Sequence, residues 1–359
     1  MSSFGIEEEF FMIDERTCLP AAVDLKPFRQ LSGIRSEGLV QHELLACQLE
    51  YASSVCEDRD QALAELRGFR IALARQAAEA GLLVVGIGAA PMIPQNPPSF
   101  TDTLRYKEIG LRLSGIAAEH YICGLHIHVS ILDRRSGVRA LNFLRPWLPL
   151  LCALGANSPI WRGSDSNFSS WRTIHYRKWS VQGVPPSFTD EQDYESRLGS
   201  ILGTEAVLDH GHIGWAVRLS ENYPTIELRV ADTQLRAYDA VLLAVLTRAL
   251  VDTAVAGEAP LPVFLPELLD LALWQAAKHG IEGNQLDPLS GNAVPTVEHV
   301  HRLLHVIETE LRSNGDYDFV VHSLRNLLET GNGAMRQRAA FLEGSISHVL
   351  HNAHAEMLM

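Results

Sequence analysis

Gly5-Ile6-Glu7-Glu8-Glu9-Phe10 sets three consecutive carboxylates inside an apolar, strand-like run. A strand turns alternate side chains to one face, so Glu7 and Glu9 share a face and Glu8 points the opposite way. Carboxylates two positions apart on a strand lie about 6–7 Å from each other. At an effective dielectric near ~20, they and any third acid folded onto them repel by several kcal/mol. Such a group is stable when one member is protonated or a cation bridges it. Left in water, the same segment would be a solvated acidic patch at a chain end.

Three further stretches repeat the pattern of polar groups embedded in apolar sequence. Gly124-Leu125-His126-Ile127-His128-Val129-Ser130 alternates so that both imidazoles occupy one strand face, and neutral imidazole is a common metal ligand. Thr225-Ile226-Glu227-Leu228-Arg229-Val230-Ala231-Asp232 places Glu227 and Arg229 opposite an aliphatic face, as an ion pair or as the lining of a site. In His42-Glu43-Leu44-Leu45-Ala46-Cys47-Gln48-Leu49-Glu50-Tyr51, the acids Glu43 and Glu50 fit either neighbouring turns of a helix or two anchor points flanking a bend. Buried charge persists only when paired or metal-bound, so this recurrence points to a cation site.

Read in order, Gly-Ile-Glu-x-Glu, Glu43 to Glu50, Arg105-Tyr106, Gly-x-His-x-His, Asn157-Ser158-Pro159 with Gly163, Asp165 and Ser170-x-Arg172, and Thr-Ile-Glu-Leu-Arg-Val-x-Asp resemble the carboxylate–amine ligases related to type 2 glutamate–cysteine ligase. The resemblance runs from about residue 4 to Gly333-Ala334-x-Arg336-Gln337. It implies a glutamine-synthetase-like α+β fold, with a curved antiparallel sheet forming a funnel for ATP and several magnesium ions and helices on its outer side. It also implies one catalytic domain over residues 1–359.

By that resemblance Glu7, Glu9, Glu43, Glu50, His126 and Glu227 are metal ligands, with Glu50 and Arg229 essential to catalysis. Arg229 faces the transferred phosphate, His128 lies beside the nucleotide, and Arg172 and Arg218 hold a substrate carboxylate. The implied reaction joins a small carboxylate, foremost the γ-carboxylate of glutamate, to an amine such as cysteine. ATP activates the acid as an acyl phosphate because a carboxylate oxygen is a poor leaving group, and ADP and phosphate are released. Magnesium suits clustered carboxylates. Where close relatives read Gly-Thr-His-Pro, this chain has Gly88-Ala89-Ala90-Pro91, so any contribution of that Thr and His to acceptor choice or activity level is absent.

Composition bounds the function. The chain of 359 residues is 47% hydrophobic, enough for a sizeable core. A net charge of −13 argues against nucleic-acid or anionic-membrane binding. Arg162, Arg172, Arg177 and Lys178 alternate with Trp161, Trp171 and Trp179; we read this as a loop packed on the core. Cys18, Cys47, Cys56, Cys123 and Cys152 form neither a Cys-x-x-Cys pair nor a disulfide framework. Together with an N-terminus unlike a signal peptide and no spanning segment, they suggest a cytoplasmic protein. The apolar helices of the C-terminal half are compatible with a homodimer.

Apolar spacing predicts helices over 60–80, 103–119, 139–156, 235–256, 266–279, 296–313, 319–330 and 335–342, with a buried strand Leu82–Gly86 between the first two. Ser158 to Ser187 reads as a long functional loop, Glu221-Asn222-Tyr223-Pro224 as a hairpin turn, and Glu258 to Pro266 as a loop between helices. His348, His351 and His354 read as a frayed terminal helix. No phosphate loop, dinucleotide fingerprint, zincin motif or serine-hydrolase elbow occurs. Two alternatives stay open: a metal-dependent hydrolase using His126 and His128 with Asp232, and a catalytically silent nucleotide-binding relative.

Overall fold

In the computed structural model, which describes residues 1–24, 26–29, 38–257, 264–287 and 290–359, the alternation in the N-terminal strand has its expected consequence. Along β1 (Phe4–Asp14), Phe4, Ile6, Phe10 and Met12 enter the main hydrophobic core, while Phe11 and Ile13 enter a second cluster on the opposite face. The other strands of this sheet are β2 (Leu39–His42), β3 (Gln48–Ala52), β4 (Leu82–Val85), β5 (Leu125–Ser130), β6 (Val217–Leu219) and β7 (Thr225–Leu228). They pair in the order β6-β7-β5-β1-β3-β2, with β4 on the Phe11–Asp14 end of β1. Every pairing among them is antiparallel.

Helices cover the core face. Ala237–Ala256 is apolar nearly all round, so it is buried at the centre, against β1, β5 and the helices Arg59–Ala78 and Arg134–Leu144. Glu8, the middle acid of the opening motif, points into this core and is fully buried. Arg70 meets it in a bidentate pair at 3.0 and 2.5 Å and donates to the carbonyls of Leu235 and Gln234. A fully buried charge is tolerated because its partners satisfy it.

Several predicted helices are found whole: Pro266–His279 and Thr296–Ser313 have the expected ends. Two are divided. The stretch 103–119 breaks at Ser114, whose φ of 44° separates Leu104–Leu113 from Gly115–Ala118. The stretch 139–156 is Arg134–Leu144, a 3₁₀ turn Arg145–Trp147, then Leu148–Leu154; Pro146 and Pro149 remove amide donors there. The loop 158–187 contains a short helix, Trp171–Tyr176. The terminal helix Ile346–Met357 is not frayed: Val349, Leu350, Ala353 and Met357 are buried, and His354 bonds the carbonyl of Val84. Within the predicted 258–266 loop, residues 258–263 lie outside those described.

Helix Arg59–Ala78 opens on an Asp58 cap and is followed by Gly81 at φ 71° with open space around it. An L-residue is strained in that left-handed conformation. Gly81→Ala is expected to cost about 1 kcal/mol of stability with turnover unchanged. Urea denaturation beside a turnover assay checks this.

Candidate active site

Strand register gathers the polar residues of distant segments onto one face. Glu7 stands opposite His126, Glu9 opposite Glu50, and Glu227 opposite both His128 and Arg218. Directly paired residues hold their Cβ atoms about 4.5–5.5 Å apart, so the side chains can share ligands. Glu43 joins from the bend after β2, the second of the two arrangements that its spacing from Glu50 allows.

Among the described residues three triads result: Glu7, His128 and Glu227; Glu7, Glu50 and His126; Glu9, Glu43 and Glu50. Within each, the donor atoms lie within 4.8 Å of one another. Glu7 links the first two and Glu50 the last two, so the donors form one continuous chain. The all-carboxylate triad fits a hard cation such as magnesium, while imidazole widens the choice in the other two. All six expected ligands are therefore brought together, with His128 beside them.

Local contacts aim these groups. The Gly124 amide donates to Glu9 at 2.6 Å, and the Leu44 amide to Glu43 at 2.5 Å. His126 Nδ1 lies 3.2 Å from Glu7 and its Nε2 3.6 Å from Glu9. His128 Nε2 lies 3.4 Å from Glu7, and its Nδ1 2.9 Å from the Thr225 hydroxyl.

Electrostatics divide the acids into two groups. Burial pushes Glu9 up to about 8, helped by the Glu43 charge. Burial also raises Glu43, and raises Glu50 well above the carboxylate range with the added charges of Glu7, Glu43 and Glu9. Burial works to raise Glu7 and Glu227 too, but bonds from His126 and His128 hold Glu7 low, and the charges of Arg229 and Arg218 hold Glu227 low. Burial lowers His126 to about 4, leaving a neutral ligand. The three raised acids cannot all ionise together without added positive charge.

Arg229 donates to Glu227 through Nη1, which also lies 3.4 Å from His126 Nδ1. Arg218 spans Glu227 at 2.6 and 3.2 Å and gives Nη1 to the carbonyls of His210 and Ile213. Arg172 is buried and donates to the Arg229 carbonyl at 3.2 Å. A cleft of about 590 Å³ opens between Arg229 and Arg172, Glu9 and Glu43, and an aromatic wall of Tyr106, Tyr176 and Trp179. Arg105 stands at it, braced by Asp209 at 2.7 and 3.0 Å.

Sequence reasoning did not single out Tyr176, His120 or His212 for this cleft; isolated aromatic and imidazole residues on loops carry no periodic signal. The tryptophan and arginine loop is packed as expected: Arg162 and Lys178 pair with Glu119, and Arg177 with Asp270. Ala89 and Ala90 are fully buried. Asp232, the third ligand of the hydrolase alternative, belongs to none of the triads and spends its oxygens on Asn157, Ser158 and Ser170. That alternative thus loses its ligand set.

The sequence profile of glutamate–cysteine ligase family 2 matches residues 3–353. The chain belongs to this family. It is 41% identical over 342 residues to a Nocardia farcinica protein provisionally named glutamate–cysteine ligase 2-1, covering 94% of this chain and 88% of that one. A Mycolicibacterium smegmatis protein provisionally named glutamate–cysteine ligase 2-3 is 39% identical, covering 94% and 93%. Among solved structures, a glutamate–cysteine ligase of Francisella tularensis in complex with AMP superposes with a TM-score of 0.74 at 12% identity, over 99% of this chain and 88% of that one. A bifunctional glutathione synthetase of Pasteurella multocida gives 0.69 at 16% identity, over 99% and 52%. These two likenesses establish the fold. With the family match, the chain is a carboxylate–amine ligase of the glutamate–cysteine ligase type. Among the described residues, no helix is long and apolar enough to cross a membrane.

Proposed function

We propose that this protein uses ATP and magnesium to join a small carboxylate, foremost the γ-carboxylate of glutamate, to an amine such as cysteine through an acyl phosphate. The observation that carries this reading is the continuous chain of three donor triads on one sheet face, with Arg229 against its middle. Glu7, Glu9, Glu43, Glu50, His126 and Glu227 would hold the metal. When bound, magnesium supplies positive charge that neutralises the triphosphate and polarises the transferred phosphoryl group.

The protein's own groups supply the rest. Arg229 donates to the γ-phosphoryl oxygens as charge develops on them, and His128 flanks the nucleotide from the same face. Arg172 orients the substrate carboxylate at the cleft wall. Arg218, held to Glu227 and two carbonyls, serves chiefly to set Glu227. A carboxylate oxygen of the donor acid attacks the γ-phosphorus and ADP leaves. The amine nitrogen then attacks the acyl carbon, loses a proton, and expels phosphate together with that oxygen.

One main core cluster runs from Phe4 to Met357, which supports treating the chain as one catalytic unit. Five free cysteines support a cytoplasmic setting. With oxygen-18 in the side-chain carboxylate of glutamate, one labelled atom is expected in the released phosphate. Mass spectrometry of phosphate and nucleotide decides. AMP and pyrophosphate would indicate an adenylate instead, and unlabelled phosphate would remove the acyl phosphate.

A further inference from the structure

Asp232 is buried, lies outside the donor triads and is not among the residues lining the cleft, yet both of its oxygens are bonded. Its Oδ2 accepts from the Asn157 amide at 2.8 Å and the Ser158 hydroxyl at 2.6 Å, and its Oδ1 from the Ser170 hydroxyl at 2.8 Å. Both hydroxyls pass the order onward. Ser158 Oγ accepts the Arg172 amide at 3.0 Å, and Ser170 Oγ accepts the Thr173 amide at 3.2 Å, capping the helix Trp171–Tyr176. Arg172 Nη1 itself lies 4.0 Å from Asp232 Oδ1.

The surroundings leave no slack. A Cβ at Gly88 would stand 2.5 Å from the Asp232 carboxyl carbon, and one at Gly124 would collide with the Arg172 guanidinium. Glycine is needed at both places to let charged groups approach backbone. Asn157 extends the node: its side chain donates to the carbonyls of Gly86 and Thr233, and Gln337 from helix Gly333–Glu343 donates to its carbonyl and side-chain oxygens at 2.8 and 2.7 Å.

From these contacts we infer that Asp232 is a positioning residue, which sets the Arg172 guanidinium at the cleft wall through Ser158 and Ser170 without touching substrate. A carboxylate is suited to this because it only accepts, so it forces both hydroxyls to donate inward and leaves their lone pairs for the Arg172 and Thr173 amides. It also sets a negative charge under the guanidinium. The role rests on the proposed function only in so far as Arg172 meets the substrate carboxylate.

Asp232→Asn keeps the shape and removes the charge and one acceptor. The KM for glutamate is expected to rise roughly tenfold or more, as misplacement of an orienting group does, with the KM for ATP and the magnesium dependence unchanged. In side-chain nitrogen-15 spectra, the Nε–H signal of Arg172, assigned by its loss in Arg172→Lys, is expected to move while that of Arg70 stays. Ser158→Ala, which leaves the carboxylate and cuts only its link to the Arg172 amide, should move the same two readouts in the same direction. An unmoved Arg172 signal with an unchanged KM overturns the inference, and so does a fall in Tm that displaces both arginine signals in both variants. Absence of ATP turnover with glutamate in the wild type would refute the proposed reaction, while the arginine spectra would still report on the positioning.

Discussion

Glu50→Gln is expected to lower turnover by at least ~10²-fold, the scale of losing an electrostatic group at a reacting centre. Glu50 belongs to two of the three donor triads, so its charge serves both the Glu7–His126 and the Glu9–Glu43 sides. The substitution is nearly isosteric. It also removes a carboxylate that burial, and then the charges of its neighbours, push toward protonation, so the metal-free protein should lose no thermal stability. The stabilisation gained on adding magnesium should shrink, because ligand binding stabilises the folded state by mass action. Steady-state kinetics across a magnesium titration, with Tm measured at each concentration, separates the effects. Near-normal turnover with the same magnesium dependence would take Glu50 out of the site.

Arg229→Lys is the second large effect. Lysine keeps the charge and loses the planar fork, so its one nitrogen can take over the Nη1 contacts to Glu227 and His126 but leaves no second nitrogen for a phosphoryl group. Turnover is expected to drop by ~10²-fold or more if Arg229 stabilises the moving phosphoryl group. The folded protein should be little affected, since Arg218 still spans Glu227 and satisfies its charge. Thermal unfolding and ATP turnover on the same preparation decide between roles. Intact turnover with a large fall in Tm would make Arg229 a structural partner of Glu227.

The hydrolase alternative shows where a motif misleads. His126 and His128 share a strand face as their spacing requires, and Asp232 lies four residues past the end of β7, the strand that pairs with theirs. The strand ladder ends at Leu228, however, and Asp232 instead bridges to Gly124 and turns beneath the 158–173 loop. Nothing in the local alternation announces that turn, because it is fixed by hydroxyls some sixty or more positions away. The tight packing of the terminal helix was equally hidden: three histidines at helical spacing look solvated until Val84 and the buried Val349 and Leu350 are placed beside them.

The sequence by itself determined which side chains share a face: the two-residue period of a strand puts Glu7 with Glu9, His126 with His128, and Glu227 with Arg229, whatever surrounds them. It also determined that such groups, set in apolar runs, had to find partners, since unpaired burial of charge is too costly to persist. Only the tertiary structure decided which partners. The register that sets Glu9 opposite Glu50 and Glu227 opposite His128 joins segments tens of residues apart, and a slip of one residue would turn each ligand into the hydrophobic core. That choice depends on the summed packing of the core face, where Phe10, Leu49, Ile127 and Leu228 must all be buried at once, and no local stretch of the chain carries that sum.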